Sequence, residues 1–163
     1  MTTDEFLALP FSGVLEVALQ DMRTLSTRRG YNFDMTRWVD KANPRVCLVC
    51  MAGSVMVNTL KDPQSTPSRL SSERARNIMM AINDFRVGEL EDAFSWFGLP
   101  VDRPVINKIY AAAHDAPEGF FNLPDTLKEP GGATSYYKKR KQFVDAYESF
   151  YTPLIAILKQ HGY

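Results

Sequence analysis

The sequence predicts an all-α fold: a single globular domain over residues 1–163, with six to eight helices packed around a central apolar helix at about 44–60. Helix start and stop signals recur along nearly the whole chain. No segment of the sequence combines alternating β-branched residues with a hairpin turn. The run from Val46 to Leu60 carries no charge and is apolar all round when drawn as a helix, which is typical of a helix at the centre of a domain.

Two helices are predicted before residue 30. Thr2 and Glu5 are three residues apart, as in a capping box, so a short first helix is expected to begin there. Ser12 is the expected N-cap of the second helix, and Gly30 is its expected end. Beyond it, Asp34 is expected to cap one further helical turn.

The central helix is predicted from the pair Asn43 and Pro44. Asparagine is a favoured N-cap, and proline is favoured at the first helical position. The helix is expected to reach about Leu60, and a mobile loop rich in proline and serine is expected over about 61–71.

Both cysteines of the chain, Cys47 and Cys50, fall inside this predicted helix. A redox CxxC pair is expected at a helix start that follows a strand, whereas here the thiols would lie deep in an apolar helix. A zinc site needs two more ligands, and the only histidines, His114 and His161, have no metal-binding spacing. The interpretation we favour is that both sulfurs fill core space.

The remaining helices follow from similar signals. A helix is expected from Ser71 or Ser72 to Gly88, a short one ends at Gly98, and another begins at Asp102. A second mobile loop is expected over about 115–132, where prolines and glycines exclude a continuous helix. A long helix from Thr134 follows, which Pro153 either kinks or interrupts.

Two segments, RVCLVCMAGSVM and AINDFRVGEL, resemble a group of uncharacterised small proteins of bacteriophages and prophages. The shared pattern is a CxVCxAG segment followed by an N-x-[FL]-R-x-G segment, and it covers residues 43 to about 90. The matching positions are Cys47, Cys50, Ala52 and Gly53 in the first segment, and Asn83, Arg86 and Gly88 in the second. The resemblance implies a phage setting but brings no activity and no catalytic residues.

Two basic runs are candidates for nucleic-acid contact, because cations beside aromatic rings can hold phosphates and stack on bases. The alternative is that they form ordinary solvated helix faces. Whether the two runs meet in space cannot be read from the sequence. The candidate residues are Arg28, Arg29, Lys138, Lys139, Arg140 and Lys141.

A second set of residues is a candidate for contact with a protein partner. Asn83 and Arg86 share a helix face, although the interpretation we favour is that Arg86 acts only on the last turn of its own helix. Tyr136 and Tyr137 open a stripe of aromatic residues, and tyrosine is favoured at interfaces. If the domain cannot cover this stripe, a homodimer is possible.

The expected function is non-catalytic. Nineteen basic residues balance nineteen acidic ones, and no known catalytic motif is present. We therefore expect a cytoplasmic accessory protein of phage type, with no cofactor, no metal and no membrane partner. It would bind a host or phage protein, for example as an anti-defence or host-takeover inhibitor. The alternative is a nucleic-acid-binding accessory protein, and the third hypothesis is a CxxC oxidoreductase.

Overall fold

The computed structural model describes residues 1–35, 37–85, 89–115 and 136–163, without the side chains of 136–139. Over these residues the chain is mostly helical, with seven α-helices, but it also contains a three-stranded sheet. None of the helices in these ranges is both long and apolar enough to cross a bilayer. The α-helices are α1 (Thr3–Leu7), α2 (Phe11–Ser26), α3 (Met51–Asn58), α4 (Glu73–Asp84), α5 (Leu90–Phe97), α6 (Arg103–Asp115) and α7 (Tyr136–Gln160), and the strands are β1 (Tyr31–Phe33), β2 (Val39–Asn43) and β3 (Val46–Val49).

The first two helices are close to their predicted positions, but only one has the predicted cap. The capping box of α1 is formed, since Thr2 and Glu5 each accept the other's backbone N–H. The prediction that Ser12 caps α2 is wrong, because the N-cap is Pro10. The Ser12 hydroxyl instead donates to the backbone carbonyl of Tyr163 at 2.6 Å, which ties the start of α2 to the end of the chain.

The sheet corrects the all-α prediction. β1 pairs in parallel with β3, β2 pairs antiparallel with β3, and the strand order is β1–β3–β2. The segment after residue 30, where Asp34 was expected to cap a helical turn, therefore begins as a strand. The strands are only three to five residues long, which is too short for an alternating pattern to stand out in the sequence.

The Asn43–Pro44 pair begins a hairpin turn and not a helix. The Asn43 side-chain oxygen accepts the backbone N–H of Arg45 at 2.9 Å, and Asn43 pairs with Val46 across the turn. An asparagine oxygen that can cap a helix can equally close a turn of this kind, and proline suits the second position of either. Sequence signals at this point therefore support both structures.

Only the second half of the predicted central helix is helical. Val46–Val49 is strand β3, Cys50 is the N-cap, and α3 extends over Met51–Asn58. The premise that placed both sulfurs inside a helix is therefore wrong. The part that is helical does lie in the core, because Met51 to Met56 are all buried.

The core lies between α2, α3, α4, α5, α6 and the part of α7 that begins at Phe143. The ring of Phe33 on β1 stacks on Phe143 of α7 with centroids 5.5 Å apart, and Phe143 stacks in turn on Tyr147 at 4.7 Å. Tyr147 is buried, as are Phe150 and Tyr151. The described part of the aromatic stripe is thus covered within one chain and gives no reason to invoke a dimer.

The later helices mostly match their predicted signals. Ser72 caps α4, and Gly98 ends α5 in the left-handed conformation with φ 90°. Pro153 lies within one uninterrupted α7. The predicted loop at 61–71 contains a short 3-10 helix whose Pro67 is buried. Gly88 and positions 116–132 of the second predicted loop lie outside the described residues.

Candidate functional site

Arg140 connects the two basic runs of the sequence, and it does so as a buried side chain rather than at the surface. Its side chain is only 2% exposed. Nη1 donates to the backbone carbonyl of Arg28 at 2.7 Å and to that of Tyr31 at 2.6 Å. The expectation that Arg140 contacts a nucleic acid is therefore wrong: the residue fastens α7 to the turn between α2 and β1.

The hairpin between β2 and β3 lies against the same turn. The backbone N–H of Cys47 donates to the Gly30 carbonyl at 2.6 Å, and the Arg45 carbonyl lies 3.6 Å from where a Cβ on Gly30 would stand. Three segments that are distant in sequence therefore converge here. We call their exposed cations the basic face: Arg28, Arg29, Lys41, Arg45 and Lys141.

The positive charge of the basic face is not neutralised by ion pairs. None of its five cations forms a salt bridge with any residue in the described ranges. Arg23, one helical turn earlier, differs in this respect. It holds Glu148 through two hydrogen bonds and Asp145 through one, and these carboxylates raise its pKa further above the usual range. Arg37 likewise pairs with Asp40 at 2.7 Å.

The other residues that the sequence predicts to contact a partner differ in how exposed they are in the structure. Arg28, Arg29 and Lys141 are exposed, as nucleic-acid contact requires. Asn83 is half-buried and donates to the neighbouring Asp84 at 2.9 Å, on the wall of a cavity of about 30 Å³. The side chains of Tyr136, Tyr137, Lys138, Lys139 and Arg86 lie outside the described part of the chain.

The two cysteines have different structural roles. Cys50 caps α3: its buried sulfur accepts the backbone N–H of Gly53 at 3.3 Å. Cys47 lies on β3, half-buried, and burial raises the pKa of its thiol despite the opposing charge of Lys41. Neither cysteine forms a disulfide within the described chain. A strand does precede Cys50, contrary to the sequence argument against redox chemistry, but the burial of both sulfurs disfavours thiolate.

A groove lined by aromatic residues lies on another part of the surface. It has a volume of about 440 Å³ and is bordered by the residue before β2, the 3-10 helix, α4 and α5. Both tryptophans of the chain line it, and Trp96 is 41% exposed. We call it the tryptophan groove and define it by Trp38, Pro67, Arg76, Asn77, Met80 and Trp96.

Sequence reasoning missed the tryptophan groove, although one signal was available. Arg76, Asn77 and Met80 are spaced so that they lie on one face of α4. That face is opposite to the one that carries the buried Ile78 and Ile82. What the sequence could not show is that Trp38 and Trp96, which are far apart along the chain, border the same face.

Asp21 is the one buried carboxylate among the described residues. It accepts hydrogen bonds from Asn58 Nδ2 and from Thr59 Oγ1, both at 2.7 Å, and so joins α2 to the end of α3. Burial raises the pKa of Asp21, and these two hydrogen bonds oppose the shift. The two residues that donate hydrogen bonds to Asp21 are neutral, and Asp21 belongs to neither the basic face nor the tryptophan groove. We therefore assign Asp21 a structural role.

Within the described ranges, no three or more histidine, cysteine, aspartate and glutamate side chains are grouped so as to hold a metal ion. No family model, curated protein or solved structure matches the chain.

Proposed function

We propose that this chain is a small accessory protein that acts by binding nucleic acid through the phosphate backbone, with the basic face as its contact surface. The observation that carries the proposal is the convergence of three segments, joined by the Arg140 hydrogen bonds and by the hydrogen bond from Cys47 to Gly30. It gathers five exposed cations, none of which forms a salt bridge within the described chain. Unpaired cations on one face are the usual electrostatic footprint of a phosphate-binding protein.

The composition of the basic face favours phosphate. Three of its five members are arginines, whose planar guanidinium can hold two phosphate oxygens at once. Lys138 and Lys139 immediately precede Arg140 in the sequence. Tyr31, half-exposed on β1 beside Arg28, offers an aromatic ring of the kind on which an unpaired base can stack.

The resemblance to small phage proteins supports an accessory role. Binding without catalysis is the activity that we propose, and interference with a host process would be one biological form of it. An acidic protein would present the same sign of charge as a nucleic acid. The test must therefore separate these two partners.

The experiment is a titration of fluorescently labelled single-stranded and double-stranded oligonucleotides, followed by anisotropy at several salt concentrations. For the unaltered chain we expect log K to fall linearly with log salt, as it does when phosphate contacts release counterions. In the triple variant Arg28→Gln, Arg29→Gln, Lys141→Gln, log K should fall less steeply with log salt. The magnitude of the slope should be smaller by about 2 to 3, because each lost phosphate contact reduces it by about 0.7 to 0.9.

A matched control carries the same loss of charge elsewhere: Lys61→Gln, Arg69→Gln, Lys108→Gln. These three residues are exposed and lie outside the basic face, so this variant should keep nearly the full salt slope. If both triple variants lose binding equally, only net charge matters and the proposed surface is wrong. If poly-glutamate binds and neither oligonucleotide does, the partner is an acidic protein and the proposal fails.

A further inference from the structure

We infer that the tryptophan groove is a second binding site, independent of the basic face. Its occupant would be a segment of a partner protein that presents a large apolar side chain beside a carboxylate. The apolar side chain would lie between the two indoles, and the carboxylate would contact Arg76. Nothing in this inference depends on nucleic-acid binding.

The apolar part follows from the walls of the groove. Trp38 and Trp96 border it together with Met80 and Pro67. Tryptophan is the residue most enriched among the energetic centres of protein interfaces, and methionine adapts its shape to different partners. A volume of about 440 Å³ is enough for a few side chains and falls in the range of binding pockets. An indole that is 41% exposed gains burial when a partner covers it.

The carboxylate part follows from Arg76. One of its terminal nitrogens, Nη1, is fixed by the backbone carbonyls of Leu70 at 2.6 Å and Ser71 at 3.2 Å. Its Nε and Nη2 groups donate to no atom of the described chain, and it forms no salt bridge there. A guanidinium that is held on one side and open on the other is suited to a carboxylate. Arg76 is also the only charged residue among those that line the groove.

Asn77 adds a polar contact beside the charge. It lines the same groove, and its side-chain amide forms no hydrogen bond with a described residue. An extended peptide offers backbone N–H and carbonyl groups that such an amide can pair. Together these residues provide an apolar anchor site, a cation and an amide, which is the combination that fixes the orientation of a bound segment.

The chain itself provides the reporter for a test. Its only two tryptophans both border the groove, so tryptophan fluorescence and the indole N–H signals in NMR report on this site alone. The probes are acetyl-Gly-Leu-Phe with a free C-terminal carboxylate and the same peptide with a C-terminal amide. We expect the acid form to shift both indole signals, and the amide to bind at least about 5-fold more weakly.

Three variants complete the test. Arg76→Gln should make the acid and amide peptides bind equally, whereas Arg69→Gln, an exposed arginine outside the groove, should preserve the preference for the acid. Trp96→Ala, at a position that is 41% exposed, should weaken both peptides, with Trp38 as the remaining reporter. Equal binding of the acid and the amide to the unaltered chain would overturn the inference, and so would the absence of any indole shift.

Discussion

At the scale of single residues, Arg140 has the largest structural consequence of the charged side chains described. Its two hydrogen bonds to backbone carbonyls are charge-assisted, and each contributes about 1.5 to 3 kcal/mol. Arg140→Met should therefore lower the free energy of unfolding by about 3 to 6 kcal/mol, because it leaves two carbonyls without a donor. Lys141→Met, at the exposed neighbouring position, should change it by less than about 0.5 kcal/mol. Urea denaturation measures both, and equal effects would contradict the role given to Arg140.

Cys50 gives a second prediction at this scale. Its sulfur caps α3, so Cys50→Ser should keep the capping hydrogen bond, whereas Cys50→Ala should lose it. We expect the alanine variant to be less stable than the serine variant by about 1 kcal/mol, the usual cost of losing an N-cap. Thermal denaturation measures the difference. A Cys50 thiol that reacts readily with a thiol reagent in the folded protein at neutral pH would instead favour the oxidoreductase hypothesis.

Asp21 gives a prediction of pH dependence. Its folded pKa is raised above the ordinary value of 3.8, so the folded state binds the proton more tightly than the unfolded state does. The stability that this group contributes is present below that value and is lost as the pH rises through the folded pKa. Asp21→Asn has no titrating group, and it can keep both contacts if its oxygen accepts from Asn58 and its amide donates to the Thr59 hydroxyl. As the pH rises from about 4 through the folded pKa, the unaltered chain should lose stability relative to this variant. A difference independent of pH would contradict the assignment.

At the scale of elements, the contact between α3 and the chain before β2 depends on one glycine. A Cβ on Gly53 would stand 1.6 Å from the backbone oxygen of Trp38, which no side-chain movement relieves. Gly53→Ala should therefore cost more than about 4 kcal/mol or prevent folding. Gly13 occupies the same third position of α2, and a Cβ there meets only side-chain atoms at 3.3 Å. Gly13→Ala should cost far less in the same denaturation experiment.

The helices were predictable from local chemistry, and the sheet was not. The capping box at Thr2, the cap at Ser72 and the stop at Gly98 each depend on residues within one turn, so a sequence window contains the information. The signal at Asn43 is also local, but the same side-chain hydrogen bond serves a hairpin and a helix start. What decides between them is the pairing of β3 with β1, which is a contact between distant segments.

At the scale of the whole molecule, equal numbers of acidic and basic residues conceal an uneven distribution of charge. None of the five cations of the basic face forms a salt bridge in the described chain, while Arg23, Arg37 and Arg103 are each paired with a carboxylate. The sequence identified Arg28, Arg29 and Lys141 as candidates. It could not reveal Lys41 and Arg45 as neighbours, because the hairpin that carries them was predicted to be a helix start. Nor could it show that Arg140 is buried, since burial depends on the long-range contact with β1.

The most direct test of the account is an NMR titration of the labelled protein with a short oligonucleotide, with backbone amide shifts mapped along the chain. We predict that the largest shifts fall at residues 28–31, 41–46 and 140–142, which are separate in sequence and adjacent only in this fold. The Trp38 and Trp96 indole signals should stay unchanged, since the tryptophan groove is a different site. Shifts confined to one of the three segments, or centred on the tryptophan groove, would contradict the account.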